Sequence, residues 1–201
     1  MSTNTESVEL VGDDVVGNVA RAALFAALTG AFAYVSFPNP VSPVPVSLQV
    51  LGVFLAGIFL GPVWGGASMA LYLVAGAAGV PVFAGGSAGL GSFVSYTAGY
   101  LWSYPLAAAL VGAVVHGTSD LRDPDDVGLT RLVGGMVAGT VVIYALGTVG
   151  YAVVENGLVG AFAPSALARA FVVSALAFVP FEAVKIAAAV GVVRSDAAAA
   201  E

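Results

Sequence analysis

A glutamate and a lysine three residues apart, Glu182 and Lys185, stand in a C-terminal stretch that is otherwise almost wholly apolar and long enough to enter a membrane. Ionisable side chains inside such a segment are costly and mark functional positions. On a helix, a spacing of three puts both on one face, and Pro180 just before them suits a helix start, so the pair is expected in a first helical turn. Two chemistries are open to it. A carboxylate and an ammonium can neutralise each other and fix the helix, or they can present an acceptor and a donor to a small polar ligand, with Phe178 and Phe181 as aromatic neighbours in a dry pocket.

The rest of the chain holds little charge with which to do anything else. Of 201 residues, 59% are hydrophobic and 9% charged, with 26 Gly, 10 Pro and no Cys, against roughly 25% charged in a soluble domain. This composition reads as an all-α polytopic membrane protein of about six spans at about 20 residues each. It leaves no room for a soluble catalytic domain, and the missing cysteines exclude disulfides and thiolate chemistry. Twelve acidic residues against six basic ones give a formal net charge of −6, which argues against a nucleic-acid partner. The first residues carry no basic n-region, so residues 1–18 read as a polar acidic tail rather than a signal peptide. A transmembrane domain follows over 19–194, with a short tail at 195–201.

The apolar runs predict helices from about Val19 to Phe37, Ser47 to Leu60, Trp64 to Gly79, Ser92 to Val115 and Arg131 to Val154. A short helix from Ala166 to Phe178, at the membrane edge, and a last helix from Pro180 to Arg194 complete the set. The prolines between Phe37 and Pro45 break the first helix from the second. Glu155-Asn156-Gly157 stops the fifth. Arg21, Arg122, Arg131 and Arg194 fall on one side under this count and Arg169 on the other, which places both termini in the cytoplasm. The Pro-rich break, the loop Phe83 to Gly91 and the start of the last helix then share the outer side.

Other motifs carry less. Gly85-Gly86-Ser87-Ala88-Gly89-Leu90-Gly91 lacks the Gly-Lys-Ser/Thr ending and the βαβ setting of a phosphate-binding loop. It reads as a compact turn, either plain or with backbone amides able to approach a ligand. Asn39-Pro40 has no second Asn-Pro and is not a water-channel signature. His116 reads as an interfacial residue beside an acidic loop. Ala22, Ala23, Ala26 and Ala27 give the first helix a small-residue face, suited either to packing within the bundle or to docking on a separate membrane subunit.

Taken in order, Pro43-Val44-Pro45-Val46-Ser47-Leu48-Gln49, Leu55-Ala56-Gly57-Ile58-Phe59-Leu60-Gly61-Pro62, Gly79-Val80-Pro81-Val82-Phe83-Ala84-Gly85-Gly86, Thr97-Ala98-Gly99-Tyr100 and Pro180-Phe181-Glu182-Ala183-Val184-Lys185 resemble the BioY family, the biotin-binding S components of energy-coupling factor (ECF) transporters. The resemblance runs from the first helix to the last. It implies a six-span helical fold in the cell membrane and outward-facing capture of biotin. It also implies partnership with a coupling transmembrane protein and a pair of cytoplasmic ATPases, which bind the ATP. No enzymatic activity, cofactor or metal is implied for this chain.

The implied substrate contacts are Glu182 and Lys185, joined by Gln49, Ser87 and loop amides such as Gly86. Tyr100, Phe83 or Trp102 would cover the rings, and Ala22, Ala23, Ala26 and Ala27 would dock the partner. This chain departs from the family pattern in having Glu182 where Asp is usual, Ser87 where relatives can have Asn, and Leu101 where some have Arg. The alternatives are an S component for another small water-soluble vitamin, a biotin transporter working without a dedicated ATPase module, and a membrane scaffold in which the ion pair is only structural.

Overall fold

The computed structural model describes residues 12–117 and 121–199, so residues 1–11 of the acidic tail lie outside it. Helix α1 runs Asp13–Ala33, a strand pair β1 (Ser36–Asn39) and β2 (Ser42–Ser47) follows, then α2 (Gln49–Ala77), α3 (Ala98–His116), α4 (Leu129–Gly160), α5 (Pro164–Ser174) and α6 (Val179–Ala199). Among the described residues, five helical stretches are long and apolar enough to cross a membrane. One of these is α2, and α2 is not one rod. Gly61 adopts φ 72°, ψ −172°, a left-handed backbone that favours glycine, and Pro62 cannot donate to the turn before it.

The two halves of α2 fold back on each other at that point. Gln49 hydrogen-bonds Tyr72 across the hairpin, and a Cβ on Gly65 would meet the Ala56 carbonyl at 2.9 Å. The seven expected helical segments therefore correspond to five apolar stretches, the second and third sharing the helical hairpin α2 and the last two sharing the stretch Pro164–Ser195. The arms of the hairpin, at 1.5 Å per residue, are about 18 and 24 Å long, short of a bilayer core of about 30 Å. The first arm is the centre of the molecule, with Val53, Phe54, Ala56 and Ile58 fully buried. It packs against α3, whose Ala107, Ala108, Val111 and Val115 are also fully buried.

Several boundaries differ from the sequence reading for physical reasons. Helix α1 begins at Asp13, six residues before the expected Val19, and α6 continues through most of the expected 195–201 tail. The Pro-rich segment is not a plain break but an antiparallel hairpin, pairing Ser36 with Ser47 and Phe37 with Val46. Prolines survive here because a two-stranded ribbon has only edge strands. Val44 and Val46 point inward while Pro43 is exposed, and the Asn39 side chain accepts from the Val41 N–H at 3.1 Å to close the turn. Asn-Gly does interrupt α4, since Gly157 has φ 71°, ψ 167°, although one further turn follows. Helices α3 and α4 approach closely at Gly99 and Gly150, where a Cβ on Gly150 would sit 2.7 Å from the Gly99 Cα.

His116 is not interfacial but 1% exposed. Its Nε2 contacts the Ile58 carbonyl at 2.7 Å, and its Nδ1 accepts from the Arg122 backbone N–H at 3.0 Å. The proton must therefore sit on Nε2. Ile58 lies in the last turn before the α2 reversal, where carbonyls have no helical partner, and the imidazole supplies one. Arg131 likewise donates to the Val114 carbonyl at 2.7 Å, and Arg194 donates to the carbonyls of Val127 (2.6 Å) and Asp125. His116, Arg122, Arg131 and Arg194 thus gather at one end of the bundle.

Replacing His116 by Ala should destabilise the protein by about 1–3 kcal/mol, the cost of leaving a buried carbonyl unpaired. Arg122→Ala should be close to neutral, because the contact uses its backbone. Thermal unfolding of both variants in the same detergent checks this, and equal midpoints for the two would contradict it.

Candidate ligand cavity

At the end of the bundle away from the arginines, β2, the start of α2, the loop at Phe83, the starts of α3 and α6, and the middle of α4 line a cavity of about 40 Å³. That is well under the about 300–1,000 Å³ typical of small-molecule sites, so a ligand is admitted only as the lining side chains move apart. Phe83, Tyr100, Tyr104 and Phe178 supply rings to its wall, Val44, Val50 and Leu101 supply aliphatic surface, and Gln49, Tyr144, Glu182 and Lys185 supply polar atoms.

Glu182 and Lys185 lie in the first turns of α6, as their spacing predicts. Lys185 Nζ donates to Glu182 Oε1 at 2.6 Å, and each residue is 4% exposed. The pair owes its place to the break before it. Ala175 leaves helical geometry (φ −124°, ψ −61°), a 3₁₀ turn spans Leu176–Phe178, and Pro180 opens α6. Tyr100 closes the gap, its hydroxyl donating to the Ser174 carbonyl at the end of α5, while Ser174 Oγ donates to Thr148 at 3.3 Å. The Tyr100 hydroxyl is therefore spent on the frame, and its ring alone faces the cavity.

Gln49 is likewise engaged. Ser47 Oγ donates to Gln49 Oε1 at 2.8 Å, Gln49 Nε2 donates to the Tyr72 hydroxyl, and that hydroxyl donates to the Val82 carbonyl at 2.9 Å. This relay ties the hairpin, both arms of α2 and the loop that roofs the cavity. Phe83, the buried end of that loop, stacks edge-on to Tyr72 at 5.4 Å and to Phe93 at 5.6 Å.

Four expectations are corrected here. Ser87 and Gly86 do not line the cavity: Ser87 is exposed with its hydroxyl donating to Ala84 O at 3.0 Å. The Gly86, Ser87 and Gly89 amides are consumed by the carbonyls of Phe83, Ala84 and Gly76, so the glycine loop is a closed turn with no free donors at those positions. Trp102 is 57% exposed and stacks on Phe93 at 5.0 Å rather than on the cavity. Phe181 points outward too, leaving Phe178 as the aromatic neighbour. On α1 the alanine face is divided, because Ala22 and Ala26 are buried against the second arm of α2, where Ser68 donates to the Ala22 carbonyl at 2.7 Å. Ala23 and Ala27 face outward.

Tyr104 and Tyr144 are cavity residues that the sequence reading did not single out. Both sit in apolar helices with no motif around them. The only signal was a hydroxyl-bearing ring at a position the helix turns toward α6, which requires the fold to recognise.

These features define a class: a multi-pass helical membrane protein whose cavity carries a buried, self-neutralising ion pair. The chain belongs to the BioY family, whose model matches residues 2–200. It is 39% identical over 170 residues to the biotin transporter BioY of Rhodobacter capsulatus, covering 84% of this chain and 87% of that one. It is 36% identical over 172 residues to the biotin transporter BioY of Rhizobium etli, covering 81% and 83%. In fold it is similar to a crystal structure of the S-component for biotin from an ECF-type ABC transporter, with a TM-score of 0.76 over 92% of this chain and 93% of that one at 23% identity.

Breaking the ion pair on one side should be far worse than removing it whole. Glu182→Gln or Lys185→Met alone should cost about 3–5 kcal/mol, since each leaves an uncompensated buried charge, whereas the double variant should lie near the wild type. A double-mutant cycle of unfolding free energies in detergent measures this, and additive single effects would reject the coupling.

Proposed function

We propose that this chain is the substrate-capture subunit of an ECF-type importer, a transport protein rather than an enzyme, which binds biotin at the outer face of the membrane. The observation that carries the reading is one buried acceptor–donor pair set among aromatic rings at one end of the bundle. Biotin offers complementary parts: an apolar bicycle for the rings, and a ureido group and a carboxylate for the polar atoms. Glu182 and Lys185 are the principal contacts, Gln49 and Tyr100 hold the walls in register, and the loop of Gly86 and Ser87 acts as the roof rather than as a set of donors.

Orientation supports an outward site. Arg122, Arg131 and Arg194 lie at the end opposite the cavity, and such residues mark the cytoplasmic side. The Tyr34 hydroxyl donates to the Pro81 carbonyl at 2.7 Å, which puts the C-terminal end of α1 on the cavity side. Its start and the end of α6 then share the arginine side, with both termini cytoplasmic.

A coupling membrane protein and a pair of cytoplasmic ATPases would supply the energy. Ala23 and Ala27, which leave the outer face of α1 low, suit close approach of the coupling protein. Ala22 and Ala26 serve the internal side of the same helix.

Calorimetric titration of biotin into the detergent-purified protein tests the reading. One-to-one binding is expected, lost in the Glu182→Gln/Lys185→Met double variant at an unfolding midpoint close to wild type. Leu101 gives the cavity an aliphatic wall where some relatives have Arg, so competition by other vitamins belongs in the same series. A folded wild type that ignores biotin and binds another vitamin would keep the capture role and replace the ligand.

A further inference from the structure

At about 40 Å³ the cavity has to grow severalfold before it holds a small molecule. A protein interior is close-packed, so a wall yields only where empty space lies behind it.

The walls toward the bundle centre have no such space. Val50 and Leu101 sit on α2 and α3, whose Val53, Phe54, Ala107 and Ala108 are fully buried. Tyr100 is fixed where α3 meets α4: a Cβ on Gly99 would sit 2.1 Å from the Leu146 carbonyl oxygen, and one on Gly147 would sit 2.8 Å from the Tyr100 ring. The roof is held by polar bonds and by close packing. The Tyr34 hydroxyl donates to the Pro81 carbonyl, the Tyr72 hydroxyl to the Val82 carbonyl, and the Gly89 N–H to the Gly76 carbonyl at 2.7 Å. Phe83 lies so close over Gly76 that a Cβ there would meet its ring at 2.0 Å.

The side wall differs. Tyr144 on α4 and Glu182 on α6 line the cavity and also border a lateral groove of about 880 Å³ between α4 and the α5–α6 segment. Tyr144 is only half-buried, and its hydroxyl lies within hydrogen-bond reach of the Glu182 carboxylate. One thin partition thus separates the two spaces. Behind Phe178, the departure at Ala175 and the 3₁₀ turn Leu176–Phe178 interrupt the helix that would otherwise stiffen this side.

We propose that the site opens sideways: as a ligand enters, the Tyr144 ring and the first turn of α6 yield into the groove while the roof stays in place. This rests on the capture reading above, with biotin as the ligand. The volume the ligand needs is then taken from the groove. Ala145 and Ala168, small residues that border the groove from α4 and α5 and are not part of the cavity lining, keep that space open.

Ala145→Phe and Ala168→Phe fill the groove from different helices and leave every cavity residue in place. Their unfolding midpoints without ligand should match or exceed the wild type, since the added rings enter empty space. Association of radiolabelled biotin with each purified variant should slow roughly tenfold, about 1.4 kcal/mol on the barrier, and affinity by titration calorimetry should fall with it. Tyr34→Phe, which removes a tie of the roof, should bind biotin at the wild-type rate.

Slowing in either groove variant at an unchanged midpoint supports the sideways opening. Wild-type association rates in both folded variants would overturn it and leave the proposed function standing. Faster association in Tyr34→Phe would assign the opening to the roof and overturn it likewise. A wild type that binds no biotin would remove the proposed function and this opening together.

Discussion

A carboxylate and an ammonium 2.6 Å apart, both buried in the first turns of the last helix, constrain everything built around them. Taking two charges out of water costs several kcal/mol per ion, and mutual attraction recovers that only with good geometry. The chain provides the geometry through a helix break. Without the departure at Ala175 and Pro180 opening α6, α5 and α6 would be one continuous helix, and the pair would be carried along it instead of standing at a helix start. The orphan carbonyl that such a break creates at Ser174 is met by Tyr100 from α3. One ring therefore both closes the frame and walls the cavity.

The second support is the relay from Ser47 through Gln49 and Tyr72 to the Val82 carbonyl. It spans β2, the two arms of α2 and the roof loop, adding side-chain links to the apolar packing of four segments. Hydrocarbon contacts do not discriminate strongly between protein and lipid, so polar links carry much of the specificity between helices in a membrane. The same logic holds at the opposite end, where His116 completes the Ile58 carbonyl at the α2 reversal. Both ends of the helical hairpin are thus pinned by side chains from outside its own turn.

How much of this was legible in the sequence depended on whether the signal was local. The ion pair, the helix start at Pro180, the division of α2 at Gly61-Pro62 and the interruption at Gly157 are one-dimensional signals, and each stands where its residues place it. Facing relationships were not legible. Ser87 and Gly86 are polar or permissive residues near the right loop, but backbone bonding within the turn consumes the amides and turns the hydroxyl away. Ala22 and Ala23 are identical in type and adjacent in sequence, yet the 100° between them separates a packed surface from an exposed one. Tyr144 offered only a hydroxyl-bearing ring, because an aromatic residue in an apolar helix reads as packing until another helix presents a carboxylate to it.

In the proposed capture role, a self-neutralised pair is a particular kind of recognition group. Alone in a cavity, an ammonium would favour any anion and a carboxylate any cation, and both would be costly to bury in the unliganded protein. Coupled to one another they contribute no net charge, so long-range attraction selects little, and discrimination falls to hydrogen-bond geometry at short range. Lys185 retains N–H donors beyond the one given to Glu182. The site can then meet a ligand that carries donor and acceptor groups together, while an ion lacking that pattern would have to break the pair to bind. In that proposed role, selectivity follows from the same burial that makes the pair expensive.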